Sequence, residues 1–62
     1  MNTERYTNIM ARIDAWAENH EGLDLRYEAV AEVEFMLNHA AYVNYSDEEI
    51  AWAGIGAWET AE

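Results

Sequence analysis

Six residues near the start of the chain, Tyr6, Ile9, Met10, Ile13, Trp16 and Ala17, recur at steps of one, three and four. At helical periodicity they fall on a single stripe down one side. A strand would scatter them over both faces, so this spacing constrains the fold more than any other feature. Asn2 or Thr3 can cap the start, and Glu4 suits the positive end of the helix dipole. Gly22 ends the pattern, and Leu23 is placed for the hydrophobic contact of a Schellman turn. The spacing predicts a helix over 3–20.

Two more helical segments follow. Asp24 is the expected N-cap of a helix over 24–43. Leu25, Ala29, Val30, Val33, Met36, Leu37 and Ala40 make one broad apolar face, with Phe35 and Tyr42 almost opposite. Only Glu28, Glu32 and His39 form a polar strip. A helix apolar nearly all round is expected to be the central one. Ser46 with Glu49 three residues on reads as a capping box, opening a third helix over 46–60. A strand reading of residues 50–58 fails because neither odd nor even positions alternate cleanly. Ile50, Ala53, Gly54, Ala57, Trp58 and Ala61 share one helical face, small enough for another helix to approach. Trp52 and Ile55 lie about 140–200° round from Ile50 and are expected to be exposed, facing a second copy or a partner. The expected fold class is all-α, a small three-helix bundle with antiparallel neighbours and short turns, in one domain over 1–62.

A domain of 62 residues buries only about 60% of the surface its unfolded chain exposes. With no cysteine to staple it, its stability rests on helix packing, on oligomerisation or on a partner. The lack of cysteine also fits a reducing cytosol, so a cytoplasmic location is expected. No segment resembles a signal peptide, and the longest apolar run, 50–58, falls well short of the roughly 20 residues a bilayer requires. A hydrophobic content of 52% without proline argues against disorder. Met1 leads us to expect a complete small protein.

Thirteen acids face three arginines and no lysine, for a formal charge of −10. After Arg26 come eight acids and no base. Such a chain is repelled by phosphate backbones and anionic membranes, which argues against direct nucleic-acid or membrane binding. It attracts a basic partner. On the first helix Asp14, Glu18 and Glu21 form one edge, with Arg5 and Arg12 opposite; on the second, Glu28 and Glu32 are one turn apart. Carboxylates so spaced lie about 6 Å apart along the axis, near two phosphate steps of about 3.4 Å on a DNA strand. Few of these acids have a base one turn away. We expect Asp14, Glu18, Glu21, Glu28 and Glu32 to meet a basic nucleic-acid-binding protein. Asp47, Glu48 and Glu49 form a second patch, and Trp52 and Ile55 supply apolar contact.

In size, acidity and helical content the chain resembles the small proteins by which phages block host restriction or CRISPR nucleases. That resemblance implies an inhibitor imitating DNA. The alternative is a helical interaction or homodimerisation module, of antitoxin or adaptor kind, using the apolar face around Trp52. Catalytic signatures are missing: there is no glycine-rich phosphate loop and no cysteine nucleophile, and Ser46 is explained as a cap. His20, near Glu18, Glu21 and Asp24, suits the negative end of the first helix better than a metal. His39 has no Glu-x-x-His partner. No enzyme activity, cofactor or metal is expected.

Like-charge repulsion opposes the compact state. The melting temperature at neutral pH is therefore expected to rise between low and moderate salt. An unchanged value would show that the acids are already compensated.

Overall fold

A computed structural model of the chain describes residues 3–20 and 25–61. The helices are α1 (Thr3–Ala17), α2 (Arg26–Leu37) and α3 (Asp47–Ala61), with a 3-10 turn at Ala40–Tyr42 between the last two. No strand occurs among the described residues. The protein is thus a small all-α three-helix bundle.

The start of α3 forms as its sequence dictates. The Ser46 backbone N–H donates to Glu49 Oε1 at 2.9 Å, and the Glu49 N–H donates to Ser46 Oγ at 3.1 Å. Each side chain satisfies a backbone donor that a helix start leaves without a partner. The Asn2, Gly22, Leu23 and Asp24 signals lie outside the described residues.

The first two helices end earlier than the expected bounds of 20 and 43. Regular helix in α1 stops at Ala17, and His20 Nδ1 lies 2.8 Å from the Trp16 carbonyl. A carbonyl only accepts, so Nδ1 is the donor. In α2, Asn38 ends the helix well short of residue 43: its side-chain amide donates to the Glu34 carbonyl at 2.8 Å, competing with the helical ladder. His39 then turns extended, at φ −115° and ψ 128°, while its Nδ1 donates to the Phe35 carbonyl at 2.8 Å. The same device serves both ends: a histidine satisfies the carbonyl four residues back and lays its ring on that residue's aromatic ring. The centroids are 3.9 Å apart in both Trp16–His20 and Phe35–His39.

The central helix is α3, not α2 as the apolar content of α2 led us to expect. It packs against both other helices, while α1 and α2 touch each other least. The reason is Gly54. A Cβ at this position would stand 2.9 Å from Ile13 Cδ1 of α1, 3.2 Å from Val33 Cγ2 and 3.4 Å from the Ala29 carbonyl oxygen of α2. The missing side chain lets both helices close on α3 at this level. Around it the core assembles from Ile9, Met10, Ile13 and Ala17 of α1, Ala29, Val33 and Met36 of α2, and Ile50, Ala51, Ile55 and Trp58 of α3.

Two neighbours widen the buried arc of α3. Ile55 is consequently 3% exposed, correcting the expectation that it lies on the surface, whereas Trp52 is 60% exposed as expected. Ala40 and Ala61, assigned to apolar faces by their spacing, are exposed. Each lies at an end where no helix covers it.

Gly54 and Gly56 are therefore expected to respond oppositely to alanine. A Cβ at Gly56 meets nothing within 4 Å. Gly56→Ala should stabilise the chain by about 0.5–1 kcal/mol through helix propensity. At Gly54 the same gain is opposed by overpacking of about 1–3 kcal/mol against fully buried Ile13 and Val33, for a net loss. Urea unfolding of the two variants checks this. Equal stabilisation by both would show that the helices do not meet at Gly54.

Candidate partner-binding surface

The charged edges of α1 first serve the fold. Its basic edge lies along the start of α3, where Arg5 Nε is 2.7 Å from Asp47 Oδ1 and an Arg5 terminal nitrogen donates to the Tyr45 carbonyl at 2.7 Å. Asp14 of its acidic edge meets the start of α2. There Arg26 grips both Asp14 oxygens in a fork, at 2.9 and 3.1 Å. This hydrogen bonding to Asp14 pushes the Arg26 pKa up, against a smaller opposing effect of burial. Both ion pairs are partly solvated, so each is worth no more than about 1 kcal/mol and acts mainly in setting helix register.

Three acids that the sequence assigned to a partner are thereby engaged within the chain. Asp14 and Asp47 are ion-paired and Glu49 closes the capping box. Neither aspartate has a base one turn away; their arginines come from other helices. Glu21 lies outside the described residues. Glu18 and Glu48 are exposed, Glu28 and Glu32 half-buried, and none of the four has an ion-pair partner among the described residues.

On α2 the acids lead into aromatic rings. Glu28, Glu32, Phe35 and His39 succeed one another at steps of four, three and four, which places them along one edge. Phe35 is 48% exposed. Its ring lies 6.0 Å from Tyr42, which meets Tyr45 edge-on at 5.2 Å. Sequence reasoning missed this cluster. The available signal was the repeated aromatic-x-x-x-His spacing of Trp16–His20 and Phe35–His39.

A second feature lies between α1 and α3. Arg12, Trp16, Glu48, Ala51, Trp52 and Ile55 line a groove of about 160 Å³. Buried Ala51 and Ile55 lie at its base and Trp52 stands exposed beside them. Trp16 meets fully buried Trp58 edge-on at 5.4 Å, which ties this wall to the core. Ligand pockets usually exceed about 300 Å³, so the groove is sized for a single large side chain. Ile55 contributes here as buried lining rather than as a projecting contact.

No group of three or more His, Asp and Glu residues is arranged to hold a metal among the described residues, and no described helix is long and apolar enough to cross a membrane. No protein family, curated protein or solved structure matches the chain.

The contrast between Ile55 and Trp52 is measurable. Ile55→Ala is expected to cost about 2–5 kcal/mol, as for a core residue. Trp52→Ala, measured in dilute solution, should change stability by no more than about 0.5 kcal/mol. Denaturant titration of both variants decides it, and a reversed order would displace Ile55 from the core.

Proposed function

We propose that the protein is a small acidic inhibitor or regulator that binds a basic nucleic-acid-handling protein in the cytoplasm and imitates nucleic acid. The observation that carries this reading is the α2 edge. Glu28 and Glu32, without ion-pair partners among the described residues, run into the partly exposed rings of Phe35, His39, Tyr42 and Tyr45. The carboxylates offer the charge of phosphates, and the rings the stacking faces of bases. A groove built for single-stranded nucleic acid offers both matching chemistries, cationic side chains and stacking surfaces. The chain acts by occupancy rather than catalysis, of anti-restriction or anti-CRISPR kind.

Charge and apolar contact divide the work. Electrostatic attraction supplies encounter rate and orientation. Rim charges add little affinity, so desolvated aromatic contact at Phe35 and Tyr45 supplies it. Glu18, exposed just after α1, adds a further carboxylate.

The test uses a nucleic-acid-binding protein captured from host lysate and released by a salt gradient. Reversing Glu18, Glu28 and Glu32 to Lys should slow association by about tenfold or more and flatten its salt dependence. Phe35→Ala should mainly speed dissociation. Competing DNA should displace the protein. Unchanged association of the triple variant, together with no displacement by DNA, would refute the mimicry.

A further inference from the structure

We propose that the α1–α3 groove is a self-association site, in which two copies related by a two-fold axis exchange Trp52 and pair Arg12 of each with Glu48 of the other. Trp16, Trp52, Ala51 and Ile55 make the groove apolar, and Arg12 and Glu48 bring one charge of each sign. These two are not ion-paired with each other, and neither has another ion-pair partner among the described residues. Arg12 is the one arginine of the three that no described carboxylate holds.

This lining selects its occupant. A basic partner meets Arg12, and an acidic one meets Glu48. A surface carrying one cation, one anion and an apolar projection satisfies both, and a second copy of the chain presents that set. Under a two-fold operation residue i meets j while j meets i, so each copy's Arg12 faces a Glu48. The volume, about 160 Å³, suits one inserted side chain, and Trp52 is the large exposed one at hand. Indole is also among the side chains that dominate interface energetics. A bundle this small gains from the added burial. Glu28, Glu32 and Phe35 sit on α2 and take no part in lining the groove, so a dimer leaves the acidic edge open.

The inference does not rest on the proposed mimicry, and salt separates the two. Screening the repulsion between two copies of charge −10 should strengthen the dimer, whereas a complex with a basic protein weakens.

The decisive experiment is sedimentation equilibrium on the full chain and two reversals, Arg12→Glu and Glu48→Arg, with helicity of each checked by circular dichroism. The unaltered chain should sediment at twice its 7.2 kDa mass at high micromolar concentration. Each reversal alone should be monomeric, and an equimolar mixture of the two should recover the dimer. Glu48→Arg is the sharper case: it lowers the net repulsion, so charge balance alone would make it dimerise better. Trp52→Ala should weaken self-association by about tenfold or more. A monomeric parent, a Glu48→Arg chain that dimerises at least as well as the parent, or a mixture that stays monomeric would overturn the proposal.

Discussion

The bundle depends on one close approach. At Gly54 the central helix carries no side chain, and Ile13 from α1 and Val33 from α2 crowd the place a Cβ would take. A chain of 62 residues has too little volume to fill gaps with large side chains, so it gains density by bringing backbones together. The rest of the packing follows. With α3 pinned between two partners, its buried arc widens to include Ala51 and Ile55. The helix of highest apolar content, α2, is displaced to the flank, where it leaves Phe35 and Tyr27 exposed.

Charge is distributed with similar economy. Three arginines serve thirteen acids, and two of them link separate helices. Arg5 holds the start of α1 to the start of α3, and Arg26 holds α2 to the later part of α1. Neither pair is buried enough to stabilise much. Their effect is positional, since they fix which edge of α1 faces which neighbour. The result leaves Glu28 and Glu32 on one side of the molecule. Arg12 and Glu48 remain on another, within a groove that belongs to α1 and α3.

These are two surfaces of different chemistry. The α2 edge is anionic and aromatic, the chemistry on which the proposed mimicry rests. The α1–α3 groove is apolar with one charge of each sign, and it suits its own image. They occupy different helices: no residue of α2 lines the groove.

Much of this architecture was legible in the residues. The three-residue and four-residue steps of α1, the capping box at Ser46 and the small residues of α3 specify helices, because local hydrogen bonding and periodicity act within a single turn. Helix ends were less legible. Asn38 and His39 compete for carbonyls in a way the apolar period of α2 does not register. The acidic composition likewise set the formal charge at −10 without any fold. What the sequence could not decide was which helix lies between the others. That depends on how three surfaces close together, and Gly54 gives it to α3. With it went the burial of Ile55, the pairing of Asp14 and Asp47 with arginines at sequence separations of 12 and 42, and the gathering of Phe35, His39, Tyr42 and Tyr45. Side-chain type and spacing act along one helix, whereas burial and long-range pairing exist only once the helices have met.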